Sequence, residues 1–101
     1  MIEKGRLLII DDEEVIIDVF QNLLKEKGYI LYFAMTGSEA LKILEENIVD
    51  LIILDYKLPD IEGYELFKKI RIISTTVPII VITAYATLDL AVNFMKMGAF
   101  D

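Results

Sequence analysis

The clearest pattern in this chain is a set of short aliphatic runs that alternate with longer amphipathic stretches. The runs cover residues 7–10, 51–54 and 79–82, and an oxygen-bearing side chain follows each of them. A continuous aliphatic run is typical of a strand that is buried on both faces of a sheet. The pattern therefore predicts strands of a parallel sheet packed between layers of helices.

The stretches between these runs predict the remaining elements. Strands are expected over residues 6–10, 29–34, 50–55 and 78–83, and helices over residues 13–27, 39–47, 64–72 and 87–97. In the first helix one apolar stripe combines Val15, Val19, Phe20, Leu23 and Leu24. Gly28 is the predicted stop of this helix. Regular alternation of strands and helices indicates an α/β fold with a doubly wound parallel sheet.

Composition narrows the class of protein. At 101 residues the chain is expected to form one domain, and its net charge of −7 argues against binding nucleic acid or membrane surfaces through bulk charge. It has no cysteine, which excludes disulfides and zinc–thiolate sites. No apolar stretch approaches the roughly 20 residues needed to cross a bilayer. A cytoplasmic address is therefore the expected one.

Acidic side chains gather at one predicted sheet edge. Asp11 and Asp12 follow the first strand, Asp55 ends the third, and Thr83 ends the fourth. The carboxyl ends of parallel strands lie at one edge, where open α/β sheets keep their binding crevice. Carboxylates without histidine or cysteine select a hard cation such as Mg²⁺. We expect Asp12 and Asp55 to bind it directly, and Asp11 directly or through water.

Asp55 is the candidate for covalent chemistry. Its carboxylate could attack phosphorus and form an acyl phosphate, while the Thr83 hydroxyl and nearby N–H groups bind the phosphoryl oxygens. A simpler reading is that Asp55 is an ordinary turn residue and that Asp11 and Asp12 only face the positive end of a helix dipole. The coincidence of all three at one edge favours the metal site.

Five motifs follow one another along the chain: the pair Asp11-Asp12, Asp55, the turn over residues 58–63, the pair Thr83-Ala84 and residues 96–101. With these motifs the chain resembles the receiver domain of two-component response regulators. This resemblance implies a flavodoxin-like (CheY-like) fold with four of the usual five βα units, in which Asp55 accepts phosphate from a histidine kinase. It also implies Mg²⁺ held by Asp12, Asp55 and the main-chain carbonyl of Lys57, with Asp11 contributing through water.

The same resemblance implies a signalling role. Thr83 would be the switch hydroxyl, and an output domain or downstream protein, most simply in transcription regulation, would read the phosphorylated state. Such a domain is not a conventional enzyme, since it transfers a group to itself and later hydrolyses it. In the family, a fifth strand with a Lys-Pro pair and a fifth helix would follow Asp101. Residues 1–101 are thus expected to be a receiver domain without these elements, as a fragment or as a short natural form.

Three rival functions share parts of this pattern. A phosphorylation-independent interaction or dimerisation module with the receiver fold is the serious alternative. A haloacid-dehalogenase-like phosphatase would need its second Asp two positions after the first, whereas Asp11 and Asp12 are adjacent. A nucleotide-binding domain would need a glycine-rich loop after the first strand, and residues 10–15 contain no glycine.

Self-association and low stability are further expectations. If the fourth strand is an exposed aliphatic edge, it can pair with a second copy, and the fourth helix offers another contact surface. A small core without a fifth strand and helix is also expected to be weakly stable. Sedimentation at high micromolar concentration tests the first expectation. A well-folded monomer under those conditions would contradict it.

Overall fold

The computed structural model describes residues 5–82 of the chain. Within them, strands and helices alternate in the predicted order. The strands are β1 (Gly5–Ile10), β2 (Tyr29–Ala34), β3 (Leu51–Asp55) and β4 (Ile79–Ile82), and the helices are α1 (Glu14–Leu24), α2 (Gly37–Glu46) and α3 (Gly63–Ile73). Thr83 and the fourth helix predicted over residues 87–97 lie outside the described residues.

The four strands form one parallel sheet in the spatial order β2-β1-β3-β4. The chain steps from β1 to one side to form β2, then crosses back past β1 to form β3 and continues to β4. Because such crossovers are right-handed, this reversal places α1 on one face of the sheet and α2 and α3 on the other. The predicted doubly wound, flavodoxin-like α/β fold is thereby confirmed.

The main core lies between the sheet and the layer formed by α2 and α3. Leu8 and Ile10 of β1 lie beside Ile52 and Leu54 of β3, and all four side chains are fully buried. Phe67 of α3 is also fully buried and is the largest side chain of this core. Burial of this extent explains why β1 and β3 are aliphatic along almost their whole length.

On the opposite face, where α1 packs, one sequence-based expectation was wrong. Val15, Val19 and Leu23 were assigned to the apolar stripe of α1, but they are 70%, 47% and 60% exposed. The half-buried apolar side chains of this helix are Ile16, Ile17, Phe20 and Leu24. Because α1 is apolar around most of its circumference, the helical period alone does not specify which side packs against the sheet.

Helix ends differ from the prediction where local hydrogen bonds decide them. α1 ends at Leu24, three residues early, and the Lys27 N–H then donates to the Leu24 carbonyl at 3.1 Å in a turn. Gly28 closes that turn with a φ of 90°, a conformation that favours glycine. α2 starts two residues early because Thr36 is its N-cap.

The outer strands of the described sheet are β2 and β4. Ile82, the last residue of β4, is 43% exposed. Among the helices of residues 5–82, none combines the length and the apolar character that crossing a bilayer requires.

Two isoleucines of α3 allow a matched test of the core. Ile70 is fully buried, whereas Ile72 is 82% exposed on the same helix. We expect Ile70→Ala to lower the free energy of unfolding by about 2–5 kcal/mol, because it removes buried methylene groups and leaves a cavity. Ile72→Ala should change it by less than about 0.5 kcal/mol. Urea unfolding followed by circular dichroism measures both, and equal effects would contradict this packing.

Candidate metal and phosphoryl site

The candidate site lies where the strand order reverses. β1 and β3 are neighbours in the sheet, while the helices that follow them leave on opposite faces, so their carboxyl ends open a crevice. The last pair in their register is Ile10 with Leu54. Asp11 and Asp55 therefore stand side by side at the mouth of this crevice, and Asp12 follows directly.

The structure brings these three predicted carboxylates together. Asp11, Asp12 and Asp55 each offer one carboxylate oxygen, and these oxygens all lie within 4.8 Å of one another. Asp11 is buried, Asp55 is half-buried and Asp12 is exposed. Three oxygen donors at graded depth can surround a cation from below while leaving its outer side open to water or to a phosphoryl group.

Hydrogen bonds hold Asp11 in its orientation. Its main-chain N–H donates to the carbonyl of Ala34 at the end of β2, at 2.9 Å. Its Oδ1 accepts a hydrogen bond from the Glu13 N–H, also at 2.9 Å. One carboxylate oxygen of Asp11 is thus engaged in the turn that leads into α1, which suits a residue that supports a cation from below.

The surroundings of Asp11 and Asp55 disfavour the ionised form of both carboxyl groups. Burial raises the pKa of Asp55, and the charges of Asp11, Asp12 and Glu13 raise it further against the lowering effect of the Lys57 N–H. Burial also raises the pKa of Asp11, with Asp12 adding to the effect and the Glu13 N–H opposing it. Mutual repulsion of this kind is relieved by a proton or by a bound cation.

Lys57 enters the site through its main chain. Its N–H donates to Asp55 Oδ1 at 3.4 Å, a long hydrogen bond, and Lys57 forms an isolated antiparallel bridge with Glu62. Beside this bridge the Gly63 N–H donates to the Tyr56 carbonyl at 2.7 Å. The loop between β3 and α3 is therefore closed at its base, two residues beyond Asp55.

Gly63 is required by this closure. A Cβ atom at position 63 would lie 2.7 Å from the Tyr56 Cα and 2.8 Å from its carbonyl oxygen. Backbone atoms cannot move aside as a flexible side chain can, so only glycine allows the start of α3 to approach β3 so closely. The glycine was read from the sequence as a turn residue, and the close approach is the structural reason for it.

Sequence reasoning missed the part played by Asp60. Both of its carboxylate oxygens accept hydrogen bonds from the start of α2, through the N–H groups of Gly37 and Ser38 and the Ser38 hydroxyl. Asp60 belonged to the turn that carried the family resemblance, but no role was assigned to it. Its partners are 22 and 23 residues away in the sequence, so no local pattern could have shown the contact.

The chemistry of the donor set fits a hard divalent cation. The three carboxylates offer oxygen ligands alone, and their repulsion would be offset by two positive charges. The predicted metal ligands Asp11, Asp12 and Asp55 thus lie together, and the Lys57 main chain lies beside Asp55. The roles of these residues stay predictions, and that of Thr83 falls outside the described residues.

Comparison with known proteins gives the same picture over nearly the whole chain. A family model described as "Response regulator receiver domain" matches residues 7–101. The transcriptional regulatory protein ZraR of Klebsiella oxytoca is 32% identical over 99 residues, which are 98% of this chain and 22% of that protein. The chain thus spans about a fifth of the length of this curated relative.

Solved structures agree in fold. A CheY-like response regulator receiver domain protein of Methanospirillum hungatei has a TM-score of 0.87 at 36% identity, with 93% of this chain and 75% of that chain covered. A response regulator protein of Burkholderia pseudomallei, solved with a phosphorylated aspartic acid, a calcium ion and citrate, has a TM-score of 0.86 at 30% identity, with 95% and 56% covered. The chain belongs to the response regulator receiver domain family.

Proposed function

We propose that this receiver domain accepts a phosphoryl group on Asp55 from the phosphohistidine of a histidine kinase, with Mg²⁺ at the acidic cluster. One observation carries the proposal: three carboxylates from two separate strand ends lie within 4.8 Å of one another at the switch point of the sheet. The phosphorylated aspartic acid and the calcium ion of the Burkholderia pseudomallei relative support the same chemistry.

Asp55 acts as the nucleophile in this proposal. One of its carboxylate oxygens forms a bond to phosphorus while the N–P bond of the phosphohistidine breaks, and the leaving imidazole takes a proton. Asp55 is half-buried at the end of β3, and this setting restricts the orientations open to its carboxylate. Hydrolysis later cleaves the acyl phosphate, which returns Asp55 to its carboxylate form and resets the switch.

Asp12, Asp55 and the Lys57 carbonyl are the proposed metal ligands, with Asp11 beneath them contributing through water. When bound, Mg²⁺ would neutralise the negative charge that gathers between the carboxylates and the incoming phosphoryl oxygens. The protein itself holds these oxygens at one edge of the sheet. It does so through the paired ends of β1 and β3 and through the closed base of the β3–α3 loop.

The signalling partners follow from this chemistry. We propose that Thr83 is the switch hydroxyl and that an output domain or downstream protein, as in a transcriptional regulator, reads the state of Asp55. The transcriptional role of ZraR supports this direction. Direct binding of nucleic acid or membrane is not part of the proposal. Self-association through β4 or the fourth helix and a cytoplasmic address stay predictions.

An interaction module that works without phosphorylation is the second candidate. One observation favours it: Val15, Val19 and Leu23 present apolar side chains to solvent along α1. Such exposed apolar residues are typical of a surface that meets another protein. The two candidates differ in whether the chemistry of Asp55 matters, so a direct test of phosphorylation separates them.

Incubation with Mg²⁺ and acetyl phosphate tests the phosphoacceptor role. We expect intact-protein mass spectrometry to show a gain of one phosphoryl group that is absent without Mg²⁺ and absent in Asp55→Asn. Asp18→Asn is the matched control, because Asp18 is an exposed carboxylate of α1. It should keep the gain. No gain in the wild type, or a gain that persists in Asp55→Asn, would contradict the proposal.

The dependence of stability on pH tests the charge balance. Because burial raises the pKa of Asp11 and Asp55 in the folded state, the unfolded chain releases these protons first as pH rises from the ordinary value of 3.8. The metal-free protein should therefore lose stability as pH rises from that value through the raised pKa values. Mg²⁺ at 100 times its Kd should add about 2.7 kcal/mol at pH 7.

Urea unfolding at pH 4 and pH 7, with and without Mg²⁺, measures these effects. The gain from Mg²⁺ should be much smaller at pH 4, where protons compete for the carboxylates. Asp55→Asn should raise the stability of the metal-free protein at pH 7 and abolish the gain from Mg²⁺, whereas Asp18→Asn should retain that gain. An equal gain from Mg²⁺ in wild type and Asp55→Asn would place the cation elsewhere.

A further inference from the structure

The carboxylate of Asp60 joins two segments that are distant in the sequence. Its Oδ1 accepts a hydrogen bond from the Gly37 N–H at 2.8 Å, and its Oδ2 accepts from the Ser38 N–H at 3.0 Å and from Ser38 Oγ at 3.1 Å. The first N–H groups of a helix have no partner within the helix and attract negative charge. Asp60 thus binds the start of α2 with both of its oxygens.

This contact is additional to an ordinary helix cap. Thr36, the residue directly before α2, already accepts a hydrogen bond from the Glu39 N–H at 3.1 Å through its side chain. Asp60 reaches the same helix end from the β3–α3 loop. The hydrogen bonds lower its pKa, with the Gly37 N–H as the largest cause, so Asp60 is ionised at neutral pH. Thr36 only caps α2, whereas Asp60 also ties the β3–α3 loop to this helix.

The surfaces of the loop and the helix also fit closely. A Cβ atom at position 37 would overlap the Cγ2 atom of Ile61, the residue next to Asp60. Ile61 in turn packs against the main core. Glycine at position 37 thus lets the tip of the loop lie directly on the first turn of α2, where the carboxylate of Asp60 reaches its N–H groups.

Hydrogen bonds hold the β3–α3 loop both at its base and at its tip, and the Lys57 carbonyl lies between these two points. The base of the loop is held by the hydrogen bond from the Gly63 N–H to the Tyr56 carbonyl and by the bridge of Lys57 with Glu62. Its tip is held by Asp60. The peptide that carries the Lys57 carbonyl lies between these two anchors, so both of them restrict where that carbonyl points.

We infer that Asp60 is a positioning residue of the cation site, which ties the β3–α3 loop to α2 and so holds the Lys57 carbonyl in the direction that a cation beside Asp55 requires. The inference rests on the proposed function, because it assigns the Lys57 carbonyl to Mg²⁺. Loss of a supporting contact behind a metal ligand typically weakens metal affinity by about 10- to 100-fold.

Amide hydrogen exchange in the metal-free protein tests the tether itself. Asp60→Ala should speed exchange of the Gly37 and Ser38 amides and also of the Gly63 amide, which reports on the base of the loop. Thr36→Ala is the matched control, because it removes a cap from the same helix end without touching the loop. It should speed exchange at Glu39 and leave Gly63 unchanged. An unchanged Gly63 amide in Asp60→Ala would overturn the inference.

A Mg²⁺ titration monitored through amide chemical shifts tests whether Asp60 affects the affinity for the cation. Asp60→Ala should raise the Kd for Mg²⁺ roughly tenfold, the lower end of the effect of losing a supporting contact. Thr36→Ala and Ser38→Ala should leave Kd unchanged, since both keep the Asp60 carboxylate on the main chain of α2. Asp60→Asn, which keeps one acceptor oxygen, should give an intermediate Kd.

The outcomes separate this inference from the proposed function. If Asp60→Ala binds Mg²⁺ with the same Kd as the wild type, the inference is overturned, whatever the exchange rates. The proposed function would remain intact in that case. Wild-type protein that shows no Mg²⁺ binding sensitive to Asp55→Asn would refute the proposed function and the inference with it. Equal weakening by Asp60→Ala and Thr36→Ala would reduce Asp60 to a helix cap and overturn the inference.

Discussion

The repulsion among three carboxylates at one sheet edge is the constraint on which the site depends. The main chain at Asp11 cannot move away from that at Asp55, because β1 and β3 are held side by side by hydrogen bonds and by buried aliphatic side chains. The free energy of hydrophobic burial thus holds together charges that would otherwise separate. A proton or a bound cation would relieve this repulsion.

The framework around the site is rigid on the side of α2 and α3. The main core joins the sheet to these two helices, and Gly63 allows α3 to begin in contact with the backbone of Tyr56, the residue directly after β3. The loop that carries Lys57 is closed at its base and tethered at its tip by Asp60. The loop that follows Asp55 is thus held at two points by hydrogen bonds.

The α1 side of the sheet is organised differently. No residue of α1 is buried, and an apolar stripe of this helix faces solvent. Yet α1 begins only two residues after Asp12, and the Glu13 N–H donates a hydrogen bond to Asp11 Oδ1. The same short segment thus connects the acidic cluster with the exposed apolar surface. The acidic cluster thus lies at the start of the helix that carries the exposed apolar surface.

Much of this protein could be predicted from the sequence because the deciding signals are local. Continuous aliphatic runs specify buried parallel strands, and the polar residue after each run specifies the functional edge. Asp11, Asp12 and Asp55 were found on this basis, since strand ends need no tertiary information. The cap of α2 is a local signal of the same kind, because Thr36 and Ser38 carry cap-forming side chains directly before a helical pattern.

The tertiary structure alone decided what depends on approach between distant segments. The side of α1 that packs was not readable, because the helix is apolar around most of its circumference and only the sheet beneath it selects a face. The close approaches at Gly37 and Gly63 depend on where the β3–α3 loop folds back. The tether from Asp60 to α2 joins residues 22 and 23 positions apart, and hydrogen bonds across such distances leave no periodic trace in a sequence.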